Sequence, residues 1–103
     1  MSAPLFTLSQ AAAWIEGALV VGDPQQGIDR VHTDSRSVQA GDLFVALRGE
    51  RFDAHDFLHD VATQGAAAVI AERVPEGFSL PAVLVKDTRH ALGQIANLWR
   101  RRF

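Results

Sequence analysis

The chain has 103 residues, with ten basic and twelve acidic side chains and no cysteine. This length suits one domain, and the lack of cysteine excludes disulfides, thiolate metal sites and a cysteine nucleophile. The net charge of −2 gives no general reason to bind nucleic acid, and no apolar run is long enough to span a bilayer. We therefore expect no nucleic acid partner, no membrane insertion and a cytoplasmic location.

The first half of the chain predicts one helix and then short strands. Ser9 is a favourable N-cap for a helix over 10–16. A short strand over 18–21 and a weaker one over 28–32 follow. The run over 43–47 is almost entirely apolar, which is typical of a strand covered on both faces.

The second half predicts a crossover unit and a final helix. Apolar side chains within 55–64 fall in one sector of a helix. Strands are expected over 66–71 and 82–85, and a last helix begins at Asp87 or Thr88. The helix over 55–64 and the strands on either side of it form a β-loop-α-β crossover, whose two strands should be parallel. The fold class is therefore a single small α/β domain with about five short strands and three helices.

Several cofactor motifs are absent from the sequence. The single lysine, Lys86, lies outside any glycine-rich loop, and no G-x-x-x-x-G-K-[ST] motif is present. Neither G-x-S-x-G nor G-x-G-x-x-G occurs. We therefore expect no cofactor in this chain, and in particular no phosphate loop for ATP.

A polar cluster follows the weak strand over 28–32. It consists of Thr33, Asp34, Ser35 and Arg36. Hydroxyls and a guanidinium in such a place can bond the polar ring of a ligand and pair with phosphate. An ordinary turn, in which Asp34 and Ser35 bond their own backbone, explains the same composition.

A second cluster lies in the loop over 48–55, between the end of a strand and the start of a helix. Ligands bind at this edge of open α/β sheets, and helix N-termini favour anions. Gly49 would allow close approach to the backbone, and Phe52 could stack on a flat ring. The alternative is a solvated loop with Phe52 folded into the core.

Two histidines lie four residues apart and could share a metal ion. His55 and His59 are accompanied by Asp53, Asp56 and Asp60. The glutamate of H-E-x-x-H is missing and no third ligand is indicated. A solvated helix flank is therefore the favoured interpretation, and we predict no metal site.

The order of these clusters resembles a known family. The motifs are D-S-R at 34–36, A-G-D-L-F-V-A-L at 40–47, G-E-R-F-D-A-H-D-F at 49–57, G-A-A-A-V-I at 65–70 and V-K-D-T-R at 85–89. Together they resemble the N-terminal domain of the Mur ligases, the ATP-dependent amide-forming enzymes of peptidoglycan precursor synthesis. The first two motifs are shared with the member that adds the third peptide residue. The third motif points instead to the member that joins D-alanyl-D-alanine to UDP-N-acetylmuramoyl-tripeptide.

The resemblance implies that residues 1–103 form a UDP-substrate-binding domain, and that the central ATPase and C-terminal domains are absent from this chain. In the family this domain holds the UDP end of the UDP-muramoyl-peptide, and Thr33 and Ser35 fall where the uridine is contacted. The run over 50–52 falls in the loop that lines the nucleotide-sugar site. Carried over by motif, the substrate-binding residues are Thr33, Ser35, Arg36, Gly49, Glu50, Arg51, Phe52, Asp53 and His55.

The resemblance also implies the chemistry of a longer parent enzyme. ATP, with Mg²⁺, phosphorylates the C-terminal carboxylate of the substrate peptide, and the amine of D-alanyl-D-alanine attacks that acyl phosphate. The expected partners are UDP-N-acetylmuramoyl-tripeptide and the two missing domains. We expect no catalytic residue in this chain and no ligation by this chain alone.

Two other classes of protein remain open at this point. An independent small-molecule or metal-binding module would use His55 and His59. A structural or interaction domain would present Trp14 or Trp99 on an exposed apolar patch.

Overall fold

A computed structural model of the protein describes residues 5–49 and 51–102, and for 98–102 it describes the backbone alone. Within these residues there are seven strands and three α-helices. In chain order they are β1 (Phe6–Thr7), α1 (Leu8–Ala13), β2 (Leu19–Val21), β3 (Gly27–Ile28), β4 (Arg30–His32), β5 (Asp42–Val45), α2 (Leu58–Thr63), β6 (Ala68–Ala71), β7 (Ala82–Leu84) and α3 (Thr88–Arg102).

Five of the strands form one mixed sheet in the order β2-β7-β6-β5-β4. The strands β4, β5, β6 and β7 are mutually parallel. The outermost strand β2 is antiparallel to its neighbour β7. The remaining two strands, β1 and β3, form a small antiparallel ribbon. The α/β class and the parallel β5-α2-β6 crossover are confirmed. This topology places the carboxyl ends of four strands at one edge of the sheet.

The central strand β5 explains the apolar run that predicted it. All four of its residues are buried. Leu43 and Val45 belong to the core cluster that includes Ile95 of α3, whereas Phe44 packs with Leu58 of α2 in a second cluster. Successive side chains point to opposite faces of a strand, so both faces of β5 are covered.

The prediction of the first helix was wrong at both ends. Thr7, not Ser9, is the N-cap, because its Oγ1 accepts a hydrogen bond from the Gln10 N–H at 3.2 Å. The Gln10 Oε1 accepts one from the Thr7 N–H at 2.8 Å, which completes a capping box. The helix ends at Ala13, and Trp14 follows it as C-cap.

Two further elements differ from the prediction. The strand expected over 28–32 is divided, because Ile28 pairs with β1 whereas Arg30–His32 pairs with β5. The helix expected over 55–64 begins as a 3-10 turn at Ala54–Phe57 and is α-helical only from Leu58.

The amino-terminal end of the parallel strands holds an ion pair that the sequence analysis missed. Arg30 and Asp42 lie opposite each other in β4 and β5, and the guanidinium donates from Nε at 2.8 Å and from Nη2 at 2.6 Å. The Asp42 side chain is only 2% exposed. Its burial opposes ionisation, but hydrogen bonds from Arg30 and from the Gln39 N–H outweigh burial and keep the pKa of Asp42 below its usual value.

The two tryptophans were the candidates for an exposed apolar patch. Trp14 is half-buried and packs against the core, with its ring 5.1 Å from that of Phe6. The Trp99 side chain lies outside the described residues. The described helices include none long and apolar enough to cross a membrane.

Candidate functional site

The carboxyl edge of the parallel sheet collects the motifs that the sequence analysis selected. The polar loop over 33–36 follows β4, and the loop over 48–55 lies between β5 and α2. Glu72 follows β6, and residues 85–87 follow β7. Ligands of open α/β sheets bind at this edge, so the topology agrees with the choice of clusters.

A groove of about 620 Å³ lies at this edge, and we call it the carboxyl-edge groove. This volume is within the range of about 300–1,000 Å³ that small-molecule sites occupy. The loop over 33–36 forms one wall. The residues that line the groove are Thr33, Asp34, Ser35, Arg36, Phe52, Phe57, Asp60 and Gln64.

An aromatic pair lines the groove opposite the polar loop. The rings of Phe52 and Phe57 stack with their centroids 5.5 Å apart and an angle of 25° between their planes. Phe52 remains 52% exposed, so the expectation that it could fold into the core is wrong. Phe57 was not predicted as a groove residue, because its place in the apolar sector of the predicted helix over 55–64 indicates a core position. An exposed ring supported from behind by a second ring can stack on a flat ligand.

The polar loop combines the two interpretations that its composition allowed. The Asp34 Oδ1 accepts hydrogen bonds from the Arg36 N–H at 2.9 Å and from the Arg36 Nε at 3.1 Å, which is the geometry of a local turn. These bonds, from the guanidinium first and the N–H second, lower the pKa of Asp34 to about 2. Among the described residues, the hydroxyls of Thr33 and Ser35 have no hydrogen-bond partner. Asp34 thus builds the turn, and the two hydroxyls remain available to a ligand.

Asp53 and His55 of the G-E-R-F-D-A-H-D-F motif form a part-buried network instead of lining the groove. The Asp53 Oδ1 lies 2.6 Å from the His55 Nδ1 and accepts the His55 N–H at 3.0 Å. The His55 Nε2 accepts the Glu72 N–H at 2.9 Å, so Nδ1 carries the proton and donates to Asp53. This network ties the loop over 48–55 to the end of β6.

A cation completes the environment of Asp53. The Arg73 Nη2 lies 3.1 Å from the Asp53 Oδ2. Burial opposes ionisation of Asp53, but hydrogen bonds from the His55 N–H, the His55 ring and Arg73 outweigh it and lower the pKa to about 2. The His55 side chain is 1% exposed, so a solvated helix flank does not describe this residue.

The same network removes the geometric basis for a metal shared by the two histidines. Both ring nitrogens of His55 are engaged, and neither presents a free lone pair. His59 is exposed, and its ring lies edge-on to Phe78 with centroids 6.2 Å apart. The described part of the chain has no group of three side chains suited to hold a metal ion.

A smaller pocket of about 340 Å³ lies beside the groove, at the start of α3. It is lined by Gly49, another predicted site residue, and by Arg48 and Arg89, whose guanidinium groups bind other groups of the chain. Arg48 pairs with the Glu72 carboxylate at 3.0 Å, and Arg89 donates to the Arg48 carbonyl at 3.2 Å. The positive charge of this pocket is therefore partly compensated.

The predicted site residues thus fall into separate groups. The carboxyl-edge groove brings together Thr33, Ser35, Arg36 and Phe52, while Gly49 lies in the smaller pocket and Asp53 and His55 support the loop from inside. Arg51 is exposed. Glu50 lies outside the described residues.

Comparison with known proteins identifies the family. The sequence model described as Mur ligase family, catalytic domain, matches residues 27–100. Curated relatives named UDP-N-acetylmuramoyl-tripeptide--D-alanyl-D-alanine ligase include one from Haemophilus influenzae, 40% identical over 86% of this chain and 19% of its own length. Another, from Escherichia coli, is 47% identical over 87% of this chain and 19% of its own length. A relative named UDP-N-acetylmuramoyl-L-alanyl-D-glutamate--2,6-diaminopimelate ligase, from Bacillus cereus, is 44% identical over 76% of this chain and 16% of its own length.

Solved structures give the same result. A crystal structure of MurF from Acinetobacter baumannii is 36% identical with a TM-score of 0.85, over 99% of this chain and 22% of that one. MurF from Thermotoga maritima in complex with ADP is 38% identical with a TM-score of 0.65, over 72% of this chain and 17% of that one. The chain therefore spans about a fifth of the length of the proteins it matches. On this evidence the chain belongs to the Mur ligase family.

Proposed function

We propose that this chain is the substrate-binding domain of a UDP-N-acetylmuramoyl-tripeptide--D-alanyl-D-alanine ligase, and that the carboxyl-edge groove holds the UDP end of the substrate. One observation carries this proposal: the exposed Phe52 ring, which stacks on Phe57, and the polar loop over 33–36 line the same groove. The proposed substrate class is supported by membership of the Mur ligase family.

The groove has the groups that a uridine diphosphate requires. The exposed face of Phe52 suits a planar uracil, since stacked rings attract beyond their area of contact. The hydroxyls of Thr33 and Ser35 can both donate and accept, as the carbonyl and imide groups of uracil demand. The Arg36 guanidinium is exposed, and among the described residues its one ion pair is with the half-exposed Asp34, so it can turn toward a diphosphate at small cost.

In this proposal ligation takes place in the complete enzyme, and this chain contributes binding and orientation. The whole enzyme uses ATP and Mg²⁺ to activate the carboxylate of the tripeptide for attack by D-alanyl-D-alanine. The residues of this chain do not fit an ATP phosphate site, because its one lysine, Lys86, follows β7 without a glycine-rich loop. The proposed central and C-terminal domains would supply that site.

A second candidate is the same domain of the ligase that adds the third peptide residue. The similarity to the Bacillus cereus diaminopimelate ligase favours it. The G-E-R-F-D-A-H-D-F run favours the first candidate, because it resembles the D-alanyl-D-alanine-adding member. Activity of the complete enzyme with tripeptide or with dipeptide substrate distinguishes the two.

Kinetics of the complete ligase test the site assignment. We expect Phe52→Ala and Ser35→Ala each to raise the KM for the UDP-substrate while the KM for ATP stays unchanged. Leu19→Ala is the control, because Leu19 is also exposed but lies in β2, at the opposite side of the sheet from β4. An unchanged KM for the UDP-substrate in both groove variants would refute the assignment.

A further inference from the structure

One hydrogen bond joins the two walls of the carboxyl-edge groove. The Gln64 Nε2, at the C-cap of α2, donates to the Ser35 carbonyl at 2.6 Å. The same nitrogen lies 3.3 Å from the Asp60 carbonyl in its own helix. Both partners are carbonyl oxygens, so the amide nitrogen and not the amide oxygen must face them.

This bond carries the long-range restraint on the polar loop. The loop is anchored at one end by β4 and at the other by the buried Val38. The ion pair of Asp34 with Arg36 is internal to the loop. Among the described residues, no other hydrogen bond or ion pair links the loop over 33–36 to the wall that carries Phe52. In the part of the chain that the structure describes, Gln64 therefore supplies the one hydrogen bond that holds Ser35 to this wall.

We infer that Gln64 is a positioning residue that fixes the width of the groove for a flat nucleobase. This inference rests on the proposed function. A ligand that stacks on Phe52 and bonds the loop over 33–36 must meet both walls at once. A preset spacing spares it the ordering of a free loop, which raises affinity in addition to any contact that the groove-lining Gln64 side chain itself makes.

Two substitutions perturb the bond in different ways. Gln64→Ala removes the donor and leaves the Ser35 carbonyl to solvent. Gln64→Glu sets a carboxylate against that carbonyl, so two acceptors face each other and the loop is pushed away. Gln25→Ala is the matched control, because Gln25 is exposed and its side chain has no hydrogen bond among the described residues.

The test is a titration of the chain with UDP, followed by amide NMR, together with amide hydrogen exchange of the free protein. We expect UDP to bind about three- to tenfold more weakly to Gln64→Ala than to the unsubstituted chain, and still more weakly to Gln64→Glu. The Gln25→Ala control should bind UDP with the affinity of the unsubstituted chain. Exchange at Arg36 and Ser37 should accelerate in both Gln64 variants without a change in Tm.

Unchanged UDP affinity and unchanged exchange in Gln64→Ala would overturn the inference. A fall in Tm that accounts for the weaker binding would also overturn it, since Gln64 would then act through folding. If the unsubstituted chain binds no UDP, the proposed function fails. The exchange rates at Arg36 and Ser37 then decide separately whether Gln64 restrains the loop.

Discussion

Replacement of His55 by alanine tests how the loop that carries Phe52 is held in place. The substitution leaves the part-buried Glu72 N–H without its acceptor, which costs about 1–2 kcal/mol. It also removes the ring that donates to Asp53 and opens a cavity where a side chain only 1% exposed had packed. Together we expect a loss of about 3 kcal/mol in the free energy of unfolding, a large share of the roughly 5–15 kcal/mol typical of a domain.

Urea denaturation of His55→Ala and His59→Ala provides the assay. The two histidines are one helical turn apart, but His59 is exposed, so its replacement should change stability by less than about 0.5 kcal/mol. The His55 variant should also bind UDP more weakly, because Phe52 lies in the loop that the network holds. Equal stability losses in the two variants would refute the structural role given to His55.

Three further predictions concern other parts of the fold. Gly41→Ala should lower the free energy of unfolding by about 1–3 kcal/mol in urea denaturation, because Gly41 has a φ of +88° and a Cβ there would clash with the Asp29 carboxylate. Asp42→Ala should lower the free energy of unfolding by about 2–3 kcal/mol, measured by thermal unfolding. It leaves both the half-exposed guanidinium of Arg30 and the Gln39 N–H without the carboxylate that accepts their hydrogen bonds. The pKa of Asp53 is lowered to about 2, so its contribution to stability is complete above about pH 4 and is lost as the pH falls through 2. Between pH 4 and pH 2, the free energy of unfolding should fall less in Asp53→Asn than in the unsubstituted chain, as measured by urea denaturation at each pH.

The sequence predicted those features that depend on local patterns. The apolar run around Phe44 and the amphipathic segment around Leu58 gave the parallel crossover, because strand and helix periodicity are properties of neighbouring residues. The topology then places the motif loops at one sheet edge, where Ser35 and Phe52, both predicted site residues, line one groove.

Features that depend on contacts distant in the chain were not predictable in this way. The burial of His55 depends on the Glu72 N–H, seventeen residues away, and the restraint on Ser35 depends on Gln64, twenty-nine residues away. Asp42 lies opposite Arg30 because its strand pairs with β4 in this register. Each of these pairs requires the register of the sheet or the position of α2.

The most direct test of the central claim is amide NMR of the chain during titration with UDP, with Phe52→Ala in parallel. We expect chemical-shift changes that saturate and centre on residues 33–36 and on Phe52, and that are lost in the variant. Shift changes that centre elsewhere, such as around Leu19 in β2, or no changes at millimolar UDP, would contradict the claim that the carboxyl-edge groove binds the nucleotide end of the substrate.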